Sequence, residues 1–125
     1  MILDTNALSA FIDGDPAVGS VLGTQPRAAI PVIVLGEFRY GIAGSRHHKT
    51  YEAWLASHLR HFDILPIIDA TTLHYATLRT ALKKRGRPSP ANDVWIAALA
   101  LQHRMPVLTR DEHFDYIPEV KCLAW

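Results

Sequence analysis

Four carboxylates stand where short apolar runs of the sequence end or where a helical pattern begins. Asp4, Glu37 and Asp111 each follow an apolar run, and Asp93 lies in the first turn of an apolar helical pattern. If the fold brings them together, their like charges raise one another's pKa values and resist joint ionisation unless a cation is bound. An all-oxygen ligand set suits Mg²⁺ or Mn²⁺ better than zinc. The chemistry indicated is metal-dependent phosphodiester hydrolysis, in which a metal ion activates water and polarises the phosphoryl oxygens.

Each carboxylate also has a simpler structural explanation when it is taken singly. Asp4 and Asp111 are of the type that forms caps and turns, and the helix dipole favours an acid in a first turn, such as Asp93. Glu37 differs, because a carboxylate inside an apolar stretch pays a large desolvation cost unless it is paired or coordinated. Its neighbour Arg39 is two residues away and points elsewhere on a helix.

Short apolar runs alternate with longer helical patterns along the chain, which is typical of an α/β fold. The pattern predicts a single domain over residues 1–125, with a small, mostly parallel, twisted sheet covered by helices on both faces. In such sheets, functional groups gather at the carboxyl ends of the strands. The candidate strands are residues 2–3, 28–34, 64–68, 106–108 and 120–125, and the last residues of the second run fit a helix equally well.

Two of the predicted helices have recognisable ends. Asp69 is expected to cap the first, which ends in the polar stretch 83–86. Ser89 is expected to cap the second, with Pro90 at its first helical position. Because residues 94–101 of this second helix are apolar on every side, we expect it to be central.

A further helix is predicted over residues 47–62. Its apolar stripe includes Tyr51 and Trp54, which could also stack a nucleic-acid base, although their spacing fits the core better. His58 and His61 on the same helix lie three residues apart, but no Glu or Cys completes a zinc site, so solvated histidines are expected.

The charge of the chain is unevenly distributed. The net charge is +1, yet residues 27–87 hold ten Lys and Arg against four acids, and the rest of the chain holds three against eight. Such a split fits either a cationic surface for a polyanion beside an anionic pocket for a cation or simply a solvated helical face. Lys83, Lys84, Arg85 and Arg87 come just before the helix that carries Asp93, where they would hold the phosphates of a nucleic acid or else only offset a helix dipole. Both interpretations stay open.

The sequence also argues against several classes of protein. The single cysteine, Cys122, forms no internal disulfide and is expected to be a buried, inert thiol in a reducing compartment. No apolar run approaches the roughly 20 residues of a membrane span, and no signal peptide is recognisable. We therefore expect a soluble, cytoplasmic protein. P-loop, dinucleotide-binding and serine-hydrolase motifs are missing.

The carboxylates stand in four segments that together resemble the signature segments of PIN-domain ribonucleases. The nearest resemblance is to the VapC-type toxins of toxin–antitoxin pairs, and it extends in order over the whole chain. The segments are Met1-Ile2-Leu3-Asp4-Thr5-Asn6, Val34-Leu35-Gly36-Glu37-Phe38-Arg39-Tyr40-Gly41, Asn92-Asp93-Val94-Trp95-Ile96-Ala97-Ala98 and Leu108-Thr109-Arg110-Asp111-Glu112-His113-Phe114.

The resemblance implies a role for each matching residue. Three of the acids match the metal-binding acids of the family, and the fourth, Asp111, matches its more variable position, for which Asp115 is an alternative. The short polar side chains at three further positions are implied to orient the acids by hydrogen bonds. The metal-binding residues implied are Asp4, Glu37, Asp93 and Asp111, and the orienting residues are Thr5, Asn6 and Thr109.

The predicted function is that of a Mg²⁺- or Mn²⁺-dependent endoribonuclease acting as the toxin of a type II toxin–antitoxin module. The resemblance implies RNA as substrate, a cognate antitoxin as inhibitor and a second copy of the chain as partner in a homodimer. Two alternatives remain open at this point. One is a PIN nuclease that matures RNA without an antitoxin, and the other is an α/β module that binds metal or RNA without cutting.

Overall fold

Five strands of two or three residues each pair in parallel to form one sheet in the computed structural model, which describes residues 1–125. The strand order is β3-β2-β1-β4-β5, and every pairing is parallel. The prediction of an α/β fold with a mostly parallel sheet is confirmed. The strands are β1 (Ile2–Leu3), β2 (Ala29–Pro31), β3 (Asp63–Leu65), β4 (Val107–Leu108) and β5 (Cys122–Leu123).

Six α-helices connect these strands. The chain moves from β1 outward to β2 and β3, and then returns to place β4 on the other side of β1. Because parallel crossovers are right-handed, this reversal puts the helices before and after it on opposite faces of the sheet. The helices are α1 (Thr5–Ile12), α2 (Pro16–Gly23), α3 (Val32–Ile42), α4 (His48–His58), α5 (Asp69–Lys84) and α6 (Ala91–His103), and short 3₁₀ helices cover Leu59–His61 and Glu112–Tyr116.

Helix α6 is the central helix, as its apolar sequence predicts. From Val94 to Ala100 only Trp95 is more than slightly exposed. Trp95 stacks on Tyr75 of α5 with ring centres 3.7 Å apart, which ties the two helices together. Burial on all sides fixes the orientation of α6 and therefore the position of its first turn.

The predicted aromatic stripe of residues 47–62 lies against the core. The predicted helix is shorter than expected, because α4 ends at His58 and a 3₁₀ turn follows. Trp54 packs edge-on against Phe11 with ring centres 5.9 Å apart, and Tyr51 contacts Phe38 at 5.8 Å. These contacts favour the structural role of the two aromatic side chains.

Several predicted boundaries are wrong by a few residues; the last strand, predicted over 120–125, spans only Cys122–Leu123. Asp69 is the first residue of α5 and not its cap, because the Ile68 N–H group donates to Thr71 Oγ1 over 3.1 Å. Pro90, whose backbone is extended, precedes the first residue of α6, so Ser89 does not cap this helix. Strand β3 ends at Leu65, since the following proline has no N–H group for the sheet. None of the six α-helices combines the length and the apolar composition that a membrane span requires.

Candidate functional site

Asp4 lies at the point where the chain reverses direction across the sheet. It follows β1, the strand between β2 and β4, and such a switch point is where α/β sheets bind ligands. The Asp4 N–H group donates to the Leu108 carbonyl over 3.1 Å, which joins the ends of β1 and β4. Asp4 also caps α1, because its Oδ1 accepts the Thr5 N–H group at 2.8 Å. These hydrogen bonds hold Asp4 in place, and the residue is only 4% exposed.

The second carboxyl oxygen of Asp4 is held by two of the predicted orienting residues. Oδ2 accepts the hydroxyl of Thr109 at 2.8 Å and the amide of Asn6 at 3.2 Å. Asn6 is itself anchored, since its Oδ1 accepts the Arg110 N–H group at 3.3 Å. Thr5 differs, because its buried hydroxyl oxygen makes no hydrogen bond of full geometry, yet its side chain lies beside Glu37 and lowers the pKa of that acid.

Glu37 carries a buried oxygen that nothing in the chain satisfies. It lies in the middle of α3, and its Oε1 has no hydrogen-bond partner. The neighbouring Arg39 instead pairs with Glu52 at 3.3 Å. Burial raises the pKa of Glu37 and the charge of Asp4 raises it further, while the side chains of Thr5 and Asn92 lower it. A buried carboxylate oxygen without a partner fits a cation as the missing ligand.

Asp93 occupies the first turn of α6 and is 9% exposed. Its pKa is raised to about 6, first by burial and then by the negative charges of Asp111 and Asp4, while His113 lowers it. Burial also raises the pKa of Asp4, with Asp111 adding to the effect. The charges of the acids therefore oppose joint ionisation when no cation is bound, and the tight cluster of ligand atoms within 4.8 Å contains Asp93 and Asp111 but not Asp4 or Glu37.

Asp111 joins this group, whereas Asp115 does not. Asp111 follows β4 and caps the 3₁₀ helix Glu112–Tyr116, and its negative charge raises the pKa values of Asp4, Glu37 and Asp93. Asp115 is exposed on that 3₁₀ helix and contributes to none of those shifts. Of the two alternatives for the fourth acid, the geometry favours Asp111.

The structure adds two residues to those expected from the sequence. His113 places Nδ1 2.7 Å from Oδ1 of Asp111, and the same oxygen accepts the His113 N–H group at 2.9 Å. One ligand atom from each of Asp93, Asp111 and His113 lies within 4.8 Å of the others. Asn92 contributes a side chain beside Glu37 that lowers its pKa. The signals in the sequence were the Asp-x-His spacing and the position of Asn92 next to an acid.

The predicted basic residues lie at the end of α5, separate from the acids. Lys83, Lys84 and Arg85 are exposed, and none of them forms an ion pair with any of the four acids. Gly86 turns the chain here with a φ of 66°, which favours glycine. The guanidinium of Arg87 then stacks on the ring of Tyr116, 4.1 Å from its centre. Arg87 thus connects the basic loop to the 3₁₀ helix that follows Asp111.

Cys122 is the first residue of β5 and is more exposed than predicted. It is a free thiol at the edge of the sheet, where the chain covers it only in part. Burial of its sulfur and the charge of Asp115 raise its pKa, which keeps the thiol protonated. The prediction of a buried cysteine is wrong, because β5 is an edge strand.

Comparisons with known proteins agree with this arrangement. A sequence model of the PIN domain matches residues 1–120. Ribonuclease VapC5 of Mycobacterium tuberculosis is 30% identical to this chain over 115 residues, which cover 90% of this chain and 84% of that protein.

Two solved structures share the fold over nearly the full length. The structure of VapBC2 from Rickettsia felis, bound to a DNA fragment from its promoter, superposes with a TM-score of 0.87 at 27% identity, over 99% of this chain and 97% of that chain. That of VapBC-5 from Mycobacterium tuberculosis, a member of the VapBC family of toxin-antitoxin systems, gives a TM-score of 0.73 at 31% identity, over 98% and 94% of the two chains.

Proposed function

The chain belongs to the PIN domain family, and on that premise we propose that it is a divalent-metal-dependent endoribonuclease that acts as the toxin of a toxin–antitoxin pair. The observation that carries this proposal is the group formed by Asp4, Glu37, Asp93 and Asp111. They come from four separate parts of the fold, and no Lys or Arg forms an ion pair with any of them. Such a group is stable in its ionised form only with a cation.

The residues fit a hard divalent ion such as Mg²⁺ or Mn²⁺. The unpartnered oxygen of Glu37 and the mutual repulsion around Asp93 support this, and carboxylate oxygens are the ligands that these ions prefer. The four acids would hold the ion. When bound, it supplies positive charge that polarises phosphoryl oxygens and lowers the pKa of water.

The chain's own residues position this chemistry. Thr109 and Asn6 hold the Asp4 carboxylate by hydrogen bonds, and the central helix α6 holds Asp93. One of the carboxylates orients the attacking water and accepts its proton. Attack by water leaves a 5′-phosphate and a 3′-hydroxyl, without participation of the ribose 2′-hydroxyl. A product with a 2′,3′-cyclic phosphate would contradict this mechanism.

Lys83, Lys84, Arg85 and Arg87 are proposed to bind the RNA backbone. They form an exposed cationic stretch, and the contact between Arg87 and Tyr116 places its end beside the 3₁₀ helix that follows Asp111. Phosphate contacts of this kind hold a strand without selecting its sequence. They would bring a phosphodiester toward the acids while leaving the choice of RNA to other contacts.

The decisive experiment is cleavage of a labelled, structured RNA by the purified chain with Mg²⁺ or Mn²⁺. Controls are EDTA, Asp93→Asn and the exposed matched variant Asp115→Asn. We expect wild type and Asp115→Asn to cut only with metal, and Asp93→Asn to stay inactive. If wild type and Asp93→Asn cut equally well, the site assignment is wrong.

The antitoxin is proposed because similar solved structures are toxin–antitoxin complexes. Induced expression of wild type, but not of Asp93→Asn, should arrest growth, and co-expression of a small adjacent gene should relieve the arrest. Metal-dependent cleavage in vitro without growth arrest would favour a nuclease of RNA maturation. The homodimer remains a prediction from the resemblance.

A further inference from the structure

We propose that the imidazole of His113 is a direct ligand of the divalent ion and that it makes this centre prefer Mn²⁺ to Mg²⁺. The inference rests on the proposed metal dependence and adds a nitrogen to a ligand set that was expected to contain oxygen alone. It concerns the half of the site formed by Asp93, Asp111 and His113, whose ligand atoms lie within 4.8 Å of one another.

The geometry of His113 and Asp111 is that of two neighbouring ligands. Nδ1 of His113 lies 2.7 Å from Oδ1 of Asp111. Two atoms that are each about 2.1 Å from one ion, at right angles to each other, are about 3 Å apart. Exchange of the shared proton for a metal ion therefore leaves the separation of these two atoms nearly unchanged. Metal binding to histidine commonly displaces a proton in this way.

The backbone of His113 is held beside Asp111 by a hydrogen bond of its own, while the imidazole ring is 58% exposed and is held by its contact with Asp111. The His113 N–H group donates to Asp111 Oδ1 at 2.9 Å, and the Asp111 N–H group donates to Thr109 Oγ1 at 2.9 Å. Thr109 is also bonded to Asp4. His113 is thus placed by the same hydrogen-bond network that places two of the acids.

The chemical class of the ligand determines which metal is favoured. Both ions favour oxygen ligands, but Mn²⁺ is a first-row transition metal and accepts an imidazole nitrogen more readily than Mg²⁺ does, although less readily than zinc does. A purely orienting role for His113 predicts a different result. If His113 merely orients Asp111 by a hydrogen bond, its loss weakens binding of both ions by a similar factor.

The test is metal binding without RNA, so that its outcome does not depend on activity. Manganese alone is titrated into wild type, His113→Asn and His103→Asn at pH 7.5, and ¹⁴N coupling to the bound Mn²⁺ is measured by electron spin echo spectroscopy. Asparagine keeps a donor near the position of Nδ1 but is no imidazole ligand. His103 is an exposed control at the far end of α6, about 15 Å along the helix from Asp93.

We expect imidazole ¹⁴N coupling in wild type and His103→Asn, and its loss in His113→Asn. The Kd for Mn²⁺ should rise at least about tenfold in His113→Asn, since loss of an outer-shell partner alone already costs that much, and the Kd for Mg²⁺ should change much less. Bound Mn²⁺ without ¹⁴N coupling in wild type, or equal weakening of both ions, would overturn the inference while leaving the nuclease proposal intact. Coupling in a protein that cuts no RNA would support the ligand and count against the nuclease.

Discussion

Thr109 donates its hydroxyl proton to Oδ2 of Asp4 over 2.8 Å and so joins residues that follow two adjacent parallel strands. The same hydroxyl oxygen accepts the Asp111 N–H group at 2.9 Å. One buried hydroxyl, on a residue that is 5% exposed, therefore links two of the four acids. The position of this hydroxyl relative to Asp4 is set by the pairing of β1 with β4, which are far apart in the sequence.

We predict that Thr109→Val weakens metal binding while the fold is kept. Valine has a similar shape but leaves the Asp4 and Asp111 groups without a shared partner, so Mn²⁺ affinity should fall about 10–100-fold. The free energy of unfolding should fall by about 1–3 kcal/mol. Manganese titration and urea unfolding measure the two effects.

Thr109→Ser and Thr80→Val are the controls for this prediction. The serine restores a hydroxyl at the same place, and Thr80 is exposed on α5, where it bonds only a carbonyl of its own helix. Both should bind Mn²⁺ like wild type. If Thr109→Val loses stability but not affinity, the threonine is structural and does not position the acid.

A second prediction concerns pH and the metal-free protein. Asp93 has a pKa of about 6 in the folded state against an ordinary value of 3.8, so the folded state binds its proton more tightly than the unfolded state does. Stability should therefore fall as pH rises from about 4 through 6. Asp4 and Glu37 shift in the same direction and add to the slope.

Asp93→Asn should flatten this slope when urea unfolding is followed in EDTA from pH 4 to 6. At pH 7 it should be more stable than wild type by about 1 kcal/mol, less than the full pKa shift implies because water still reaches the carboxyl group. The slope is compared below pH 6, since Asp111 raises the pKa of His113, whose favourable contribution is lost only at higher pH. An unchanged slope would show that burial and the neighbouring charges do not raise the pKa of Asp93 in the folded protein.

The positions of the acids along the strands could be predicted, but their contacts could not. Asp4 and Asp111 follow apolar runs that became β1 and β4, and Asp93 opens a helix whose burial was evident from its composition. The contact of His113 with Asp111 depends on how the chain turns into a 3₁₀ helix after β4. The place of Asn92 beside Glu37 depends on how α3 packs against α6.

The first part of the fold was less evident from the sequence. Helices α1 and α2 are eight residues each and bury few side chains completely: Ala7 and Leu8 in α1 and Val18 in α2. With so few buried positions, the apolar spacing does not distinguish a helix from a loop. What fixes α1 is Asp4, which caps it and belongs to the site at the same time.

A third prediction is that the metal stabilises the protein. At neutral pH, Mn²⁺ at 100 times its Kd should raise the free energy of unfolding by about 2.7 kcal/mol, because the ion binds the folded site and not the unfolded chain. The same concentration should have little effect on Asp93→Asn and a full effect on Asp115→Asn. Urea unfolding with metal and with EDTA measures the difference. An equal gain in all three proteins would mean that the ion binds elsewhere.

The last prediction concerns the basic residues at the end of α5, and it separates RNA binding from a role in helix stability. The variant Lys83→Ala/Lys84→Ala/Arg85→Ala, made in the inactive Asp93→Asn background, should bind single-stranded RNA more weakly at low salt. The slope of log Kd against log salt should fall by about 0.7 for each RNA phosphate that the variant no longer binds. Lys121→Ala is the control, because Lys121 precedes β5 and so lies at the opposite, amino end of the strands. If the residues only offset the dipole of α5, the triple variant should lose some helix stability but keep the RNA affinity and salt slope of the control, as measured by fluorescence anisotropy and urea unfolding.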